Sequence, residues 1–370
     1  MAGAAGDALG YEVEFMSRRG ILSRFGENGI TKFVLYGNDK ALISDDTQMT
    51  LFTANGLLNC QRLAVEPKFA VVRAYLDWYY TQADEKNRRK CCWISNINEL
   101  YSCRAPGNTC MSALSVISRG GEPYNNSKGC GGIMRVAPVA LYAAARGDFD
   151  DVAVAQLAAD AAECTHQHPL GYLPASLFAV LLYKIVSMPA EQVREEIDNI
   201  VEDTINVLDC IYKDKHESDK SYLRELTEKA MQLAHSDLSD ADAIRQLGEG
   251  WVAEETWAIA LYCAVRHIDS VKDAIIASVN HDGDSDSTGS VCGNIMGAIY
   301  GYEHIKERNI FCPEGKILED TLELSEVILA LADDLSSGSK VSEHGPVDTP
   351  EKRQWYERYY KMQPAGIGDK

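Results

Sequence analysis

Apolar residues recur at three- and four-residue steps along most of this chain, which is the spacing of one buried face of a helix. The pattern is clearest in seven stretches: residues 152–164, 175–186, 190–208, 221–234, 254–265, 271–279 and 321–335. Strict alternation, the pattern of a half-buried strand, is rare, and only residues 21–35 leave room for a short hairpin. The pattern therefore predicts an all-α fold.

Glycine spacing adds a geometric constraint. A stripe without side chains along one helix face is formed by glycines four residues apart, Gly289, Gly293, Gly297 and Gly301. The same step separates three small residues near the N-terminus, Ala2, Gly6 and Gly10. Glycine inside a helix costs about 1 kcal/mol relative to alanine. We therefore expect these two segments to be helices that pack closely against each other.

The chain divides into one domain and a short extension. Neither a repeat nor a long linker interrupts the sequence before residue 336, so we expect a single domain over residues 1–340. Residues 336–350 are rich in serine, glycine and proline and predict a loop. Beyond that loop, Trp355, Tyr356, Tyr359 and Tyr360 predict a terminal helix. The extension, residues 341–370, is therefore expected to dock on the body.

Composition narrows the function classes. A formal net charge of −19 over 370 residues opposes a nucleic-acid partner, which needs a basic surface. The eleven cysteines include no Cys-x-x-Cys pair, so reduced thiols are expected rather than a disulfide framework or a zinc site. Because its first residues lack a basic segment followed by an apolar run, we expect no secretory signal, and the longest apolar run, residues 175–186, is too short to span a membrane. We expect a cytoplasmic protein without membrane contact.

Two separate clusters of oxygen ligands carry the candidate chemistry. Residues 282–288 hold three carboxylates and three hydroxyls, and a second cluster is Ser44-Asp45-Asp46-Thr47. Oxygen ligands suit Mg²⁺, Ca²⁺ or Mn²⁺. Two distant clusters of one ligand type indicate a shared site for more than one metal ion. Asp45 and Asp46 also suit a helix start, because acidic side chains favour the N-terminal end of the helix dipole.

Six motifs, taken in order, resemble the ADP-ribosylglycohydrolase family. They are Gly6-Asp7-Ala8-Leu9-Gly10 with Glu14-Phe15, Ser44-Asp45-Asp46-Thr47, Pro106-Gly107-Asn108-Thr109, Gly129-Cys130-Gly131-Gly132-Ile133-Met134-Arg135, Thr165-His166 and Gly283-Asp284-Ser285-Asp286-Ser287. The resemblance implies a compact orthogonal helical bundle with a binuclear metal cleft. It also implies the ligands of two Mg²⁺ or Mn²⁺ ions: Ser44, Asp45, Asp46, Asp284, Asp286 and Ser287.

The resemblance assigns further roles to residues outside the metal ligands. It implies Glu14 and Asp286 as catalytic residues. Glu14 could instead be a surface carboxylate, a role that Glu12 would serve equally well. Asp7 is expected to support a turn near the site. The implied substrate contacts are Gly107, Asn108, Ser127, Gly129, Cys130, Gly131 and His166. Glycine amides in this loop are expected to face a diphosphate.

Some of these positions keep alternative interpretations. The family often has asparagine where this chain has Cys130, which is either a reactive thiol or an inert packed one. His166 is either a substrate contact or a structural histidine, and Trp251 either stacks on a base or packs in the core.

The implied activity is hydrolysis of the bond between the anomeric carbon of ADP-ribose and an acceptor side chain, with arginine favoured. The expected substrate is an ADP-ribosylated protein or a small ADP-ribose conjugate. Serine-linked or polymeric ADP-ribose remains an alternative acceptor class, as does a relative that binds ADP-ribose without turning it over. A two-metal phosphoesterase would use similar carboxylates. Pro106 replaces an acidic residue of some arginine-specific relatives, which weakens the arginine assignment.

Overall fold

The computed structural model describes residues 1–83, 90–337 and 350–361. Within these ranges the fold is all-α, as predicted. The helices are α1 Ala2–Gly10, α2 Arg18–Phe25, α3 Asp45–Leu63, α4 Pro67–Gln82, α5 Asn108–Ser118, α6 Ala137–Arg146, α7 Asp151–Glu163, α8 Pro169–Ile185, α9 Ala190–Ile205, α10 Glu217–Ala234, α11 Asp240–Leu247, α12 Ala253–Arg266, α13 Val271–Val279, α14 Ser285–Glu307, α15 Leu318–Thr321, α16 Ser325–Ser337 and α17 Pro350–Tyr356. Short 3₁₀ turns, among them Cys130–Gly132, connect several of them.

The periodic stretches are helical, and their ends differ where special residues intervene. The prediction over residues 271–279 coincides with α13, and α7 lies within one residue of its predicted bounds. Helix α8 begins six residues earlier than predicted, because Pro169 occupies its first turn and His168 accepts a hydrogen bond from Leu170 N. The prediction of a single helix over residues 321–335 is wrong, because Leu324, with φ 57°, separates α15 from α16. The hairpin alternative over residues 21–35 also fails, since α2 occupies its first part and the described chain has only isolated bridges.

Helices α1 and α14 pack backbone to backbone, as the glycine spacing predicted. A Cβ on Gly6 would lie 2.0 Å from the carbonyl oxygen of Gly289, and one on Gly10 would lie 2.2 Å from that of Ser285. In the opposite direction, a Cβ on Gly293 would lie 2.4 Å from the oxygen of Ala2. Gly301 does not belong to this contact: it has φ 76° and interrupts α14. The stripe therefore ends at Gly297.

Helix ends, rather than helix middles, meet at the acidic clusters. Asp284 is the N-cap of α14, and Ser44 immediately precedes α3. Helix α1 ends at Gly10, whose close contact with Ser285 fixes its end against the start of α14. Because α1, α3 and α14 contact one another, residues that are remote in sequence lie side by side.

The π-helical turn Glu357–Lys361, which directly follows α17, contacts the body. Trp93 Nε1 donates to the Tyr359 hydroxyl at 3.3 Å, and that hydroxyl donates to Asp334 Oδ2 at 2.9 Å. Arg358 forms an ion pair with the same carboxylate at 2.8 Å. The division at residue 340 stays a prediction, because it falls outside the described residues. Among the described helices, we find none with the length and apolarity needed to cross a lipid bilayer.

Candidate active site

A turn before α14 fixes the first acidic cluster. Asp284 N donates to the Glu249 carbonyl at 2.8 Å, and Gly283 has φ 120°. A Cβ on Gly283 would lie 2.0 Å from that same carbonyl oxygen, so only glycine fits there. The amide of Ser287 donates to Asp284 Oδ1 at 3.2 Å and to Asp286 Oδ1 at 2.9 Å. Both carboxylates are therefore held at the N-terminus of the helix, where the dipole favours negative charge.

The second cluster is held in place by Asp7 of α1. Its carboxylate accepts hydrogen bonds from the amides of Ser44 at 3.0 Å and Thr47 at 3.1 Å, and from the Thr47 hydroxyl. The Ser44 hydroxyl in turn accepts from Asp46 N at 3.1 Å, so it caps α3. The turn that carries the predicted metal ligands is thus also a helix cap, and Asp7 supports it as expected.

The two clusters converge electrostatically on Asp286. Burial raises the pKa of Asp45, Asp46 and Asp284 well above its usual range, and the charge of Asp286 raises each of them further. The same two causes raise the pKa of Asp7 to about 7. No lysine or arginine in the described ranges forms an ion pair with these carboxylates, and Asp46 Oδ2 is buried without a hydrogen-bond partner. A buried carboxylate group of this kind needs protons or bound cations.

The donor set fits divalent cations in kind, since it consists of hydroxyl and carboxylate oxygens. Among the described residues, no three of its carboxylates bring oxygen atoms within 4.8 Å of one another. In the described part of the chain, the set of three His, Cys, Asp or Glu ligand atoms that all lie within 4.8 Å of one another is Asp77, Cys91 and Cys92. Asp77 Oδ2 there accepts the amides of Cys91 at 2.6 Å and Cys92 at 2.7 Å, which explains that cluster as a fixed loop.

Glu14 faces the acidic cluster, whereas Glu12 turns away from it. Glu12 pairs with Arg24 and accepts a hydrogen bond from the Tyr36 hydroxyl. Glu14 Oε2 is buried without a hydrogen-bond partner in the described chain. Burial, followed by the charges of Asp286 and Asp284, raises the pKa of Glu14 to about 10. Of the two glutamates, Glu14 is therefore the one that faces the cluster.

Gly107, Asn108 and Ser127 form a more exposed border beside Asp45. Gly107 N donates to Asp45 Oδ2 at 3.2 Å, and Asn108 begins α5. The hydroxyls of Thr109 and Ser127 lie 3.0 Å apart and connect this segment to the glycine loop. The structure thus brings Gly107 next to the predicted metal ligand Asp45 and connects Ser127 to the same segment through Thr109.

The loop over residues 127–132 uses its glycines for packing. A Cβ on Gly131 would lie 2.9 Å from Cys110 Sγ and from His166 Cε1, and one on Gly132 would lie 2.5 Å from the Gly171 oxygen. Cys130 N donates to the Trp251 carbonyl at 3.2 Å. The Cys130 amide therefore already has an acceptor, and the expectation that the glycine amides of this loop face a diphosphate stays a prediction.

The Cys130 side chain reaches the acidic cluster. Its thiol interacts with the carboxylate of Asp284 and the hydroxyl of Ser287. Burial, followed by the negative charges of Asp284 and Asp46, raises the pKa of Cys130 well above its usual range. A protonated thiol is a poor nucleophile. The inert interpretation of Cys130 is therefore favoured.

An exposed aromatic pair lies beside Glu14. Phe15 is 75% exposed and Trp251 is 38% exposed, and their rings stack at a centroid distance of 6.0 Å and an angle of 20°. Core packing therefore does not describe Trp251. Trp251 also lines a cavity of about 520 Å³. The charged residues that line the same cavity are Arg18, Arg245, Glu249, Glu255 and Asp282.

Arg135 was assigned no role from the sequence. In the structure it reaches His166 through the Thr165 hydroxyl. Arg135 is fully buried, and its Nη2 donates to the Thr165 hydroxyl at 2.6 Å. That hydroxyl lies 2.9 Å from His166 Nδ1. The available signal was a lone charge inside the apolar run Ile133-Met134-Arg135-Val136-Ala137.

Comparison with known proteins gives matches over most of the chain. The family model described as ADP-ribosylglycohydrolase matches residues 1–344. The ADP-ribosyl-(dinitrogen reductase) glycohydrolase of Rhodospirillum rubrum is 23% identical over 339 residues, which cover 89% of this chain and 93% of that protein.

Further matches are partial or structural. The ADP-ribosylhydrolase ARH3 of Mus musculus is 28% identical over 197 residues, or 49% of this chain, and the matched part spans about half (51%) of that relative. A solved structure titled "ADP-ribosylglycohydrolase-related protein complex" superimposes with a TM-score of 0.57 at 24% identity, covering 91% of this chain and 95% of the other. That similarity is one of fold.

Proposed function

The chain belongs to the ADP-ribosylglycohydrolase family, and from this premise we propose that it hydrolyses the bond between ADP-ribose and an acceptor side chain. The observation that carries the proposal is the buried carboxylate cluster. Two acidic motifs meet around Asp286, and the cluster leaves oxygen atoms of Glu14 and Asp46 without partners. Arginine is the proposed acceptor.

The proposed cofactor is a pair of Mg²⁺ or Mn²⁺ ions. Ser44, Asp45 and Asp46 would hold them from one side, and Asp284, Asp286 and Ser287 from the other. When bound, such ions supply electrostatic stabilisation and orientation at the ribose hydroxyls. The raised pKa values of these carboxylates support this assignment, because a bound cation would stabilise the charged forms that burial, and then the charge of Asp286, disfavour.

The reaction exchanges one bond at the anomeric carbon. The bond to the acceptor nitrogen breaks, a bond to a water oxygen forms, and a proton from that water ends on the leaving nitrogen. Glu14 is the proposed group that carries this proton, since its carboxyl faces the cluster. Asp286 is proposed to orient the reacting ribose from the start of α14.

The remaining border residues are proposed to hold the rest of the substrate. Gly107 and Asn108 lie beside Asp45 and suit the ribose. The diphosphate is assigned to the loop of Ser127, Gly129, Cys130 and Gly131 together with His166, with the Cys130 amide excluded as a donor.

The aromatic pair supports arginine as the acceptor. Phe15 directly follows Glu14, and the exposed rings of Phe15 and Trp251 offer a surface on which a guanidinium group can stack. Glu249 near Trp251 adds negative charge for a cationic acceptor.

Release of ADP-ribose from matched peptides tests the proposal. The full chain with Mg²⁺ or Mn²⁺ is incubated with peptides that carry ADP-ribose on arginine or on serine, and free ADP-ribose is measured. We expect release from arginine and little from serine. Comparable or faster release from serine would overturn the arginine assignment, and release of inorganic phosphate alone would indicate a phosphoesterase. Binding of ADP-ribose without any release would indicate a non-catalytic relative.

A further inference from the structure

Arg135 is a buried cation without a carboxylate partner in the described chain. Its guanidinium lies over the Tyr75 ring at 4.1 Å, and Nη1 contacts Cys110 Sγ at 3.4 Å and Met49 Sδ at 3.5 Å. Nη2 donates to the Ala161 carbonyl at 2.9 Å and to Thr165 Oγ1 at 2.6 Å. Burying a charge is costly unless its donors are used. The shortest of these contacts is the one to Thr165.

The hydrogen bonds around Thr165 determine where its proton points. The hydroxyl accepts from Arg135, so its single proton goes either to His166 Nδ1 at 2.9 Å or to the Ala162 carbonyl at 3.3 Å. That carbonyl already accepts the amides of Thr165 at 3.1 Å and His166 at 3.0 Å. A carbonyl oxygen has two lone pairs, and both are in use. The proton therefore points to Nδ1, and the neighbouring guanidinium strengthens that bond.

Because Nδ1 accepts the hydrogen bond from the Thr165 hydroxyl, the imidazole proton lies on Nε2. His166 is 2% exposed, and both burial and the charge of Arg135 lower its pKa to about 3, so the ring stays neutral. Nε2 faces the glycine loop: it would lie 3.4 Å from a Cβ on Gly129 and 3.2 Å from one on Gly131. The hydrogen bond seen for the His166 ring within the described residues is the one at Nδ1, with the Thr165 hydroxyl.

We propose that Arg135 and Thr165 are positioning residues that hold His166 as the neutral Nε2–H tautomer, a fixed hydrogen-bond donor to a phosphoryl oxygen lying against Gly129 and Gly131. The identity of that oxygen rests on the proposed function, whereas the tautomer does not. A neutral, oriented donor loses no proton to the anion and needs no reorganisation when the anion binds.

Nuclear magnetic resonance of the full chain labelled with ¹⁵N-histidine tests the tautomer directly. Long-range ¹H–¹⁵N correlations distinguish protonated from unprotonated ring nitrogens, and the His166→Gln variant identifies the His166 signals. We expect a protonated Nε2 and an unprotonated Nδ1 between pH 8 and pH 6. A protonated Nδ1, or an imidazolium at pH 6, would overturn the proposal.

Variants at Thr165 separate positioning from folding. Thr165→Val removes the hydroxyl at similar volume and should give averaged His166 ring signals, whereas Thr165→Ser should restore the wild-type pattern. Thr204→Val is the matched control, because Thr204 is also fully buried and its hydroxyl bonds only to its own helix at Ile200 O, 2.7 Å away. An unchanged His166 spectrum in Thr165→Val would refute the role of the hydroxyl.

Binding measured by calorimetry tests the phosphoryl acceptor. Thr165→Val should weaken ADP-ribose about tenfold, the effect of one hydrogen bond to a charged group, while Thr165→Ser and Thr204→Val bind as wild type does. If Thr165→Val bound ADP-ribose as tightly as Thr165→Ser and Thr204→Val, the role of His166 as a donor to the phosphoryl oxygen would be overturned, even with the expected tautomer. If wild-type protein binds ADP-ribose but releases none from any conjugate, the proposed function fails and this inference stands.

Discussion

Substituting Gly6 by alanine tests whether the helix contact supports the site. The added Cβ would lie 2.0 Å from the carbonyl oxygen of Gly289, while ordinary contact begins at 3.4 Å. Both neighbours are backbone atoms of helices, so α1 and α14 must separate. Overpacking of this kind costs about 1–3 kcal/mol or more, and the helix propensity of alanine offsets about 1 kcal/mol. A 2.0 Å contact with backbone puts this variant at the upper end of that range, so we expect the free energy of unfolding to fall by about 2 kcal/mol.

Urea denaturation followed by circular dichroism measures this change, with Gly20→Ala as the matched control. Gly20 also lies in a helix, but its added Cβ would be 3.5 Å from Ser17 Oγ, an ordinary contact. That variant should be stabilised by about 0.5–1 kcal/mol. Since Asp7 follows Gly6 and holds the Ser44 turn, Gly6→Ala should also reduce the rise in melting temperature caused by Mg²⁺. If Gly6→Ala were as stable as Gly20→Ala, the close approach of α1 and α14 would be refuted.

Three further predictions concern the site. Asp46→Asn and Asp284→Asn should each abolish ADP-ribose release and the stabilisation by Mg²⁺. Asp282 is exposed, so Asp282→Asn should release ADP-ribose at nearly the wild-type rate. Near-normal turnover in the first two variants would place the site elsewhere. With Mg²⁺, ADP-ribose at a hundredfold excess over its Kd should add about 2.7 kcal/mol of stability and adenosine far less, as thermal denaturation would measure; equal shifts would argue against a diphosphate contact. The pKa of His166 is about 3 in the fold and 6.5 in the open chain, so the unfolded state gains a proton first as pH falls. From pH 6.5 to pH 5, wild type should therefore lose about 1.6 kcal/mol more than His166→Gln in urea titrations, and parallel losses would contradict a neutral buried ring.

Local pattern was enough to predict the helices. Helix α13 coincides with its predicted range and α7 nearly does, because the apolar step of three and four residues is a property of one segment alone. Helix ends were less predictable. Pro169 extends α8 and Leu324 separates α15 from α16, and both depend on single residues with special backbone geometry.

The sequence also placed one long-range contact. Ala2, Gly6 and Gly10 share a four-residue spacing with Gly289 and Gly293, and this spacing predicted that α1 and α14 pack closely. Small residues at that spacing leave one helix face without side chains, which is visible in the sequence alone. The two acidic clusters were visible for a similar reason: several oxygen ligands lie within a few consecutive residues. Their joint use as a metal site stays a prediction.

Only the tertiary structure decided which neighbouring groups face each other. Glu12 and Glu14 are alike in sequence, yet the pairing of Glu12 with Arg24 leaves Glu14 to face the acidic cluster. The Cys130 amide has the Trp251 carbonyl as its acceptor, and Arg135 reaches His166 through Thr165. Hydrogen-bond partners of this kind come from segments far apart along the chain, and their geometry exists only after the helices have packed.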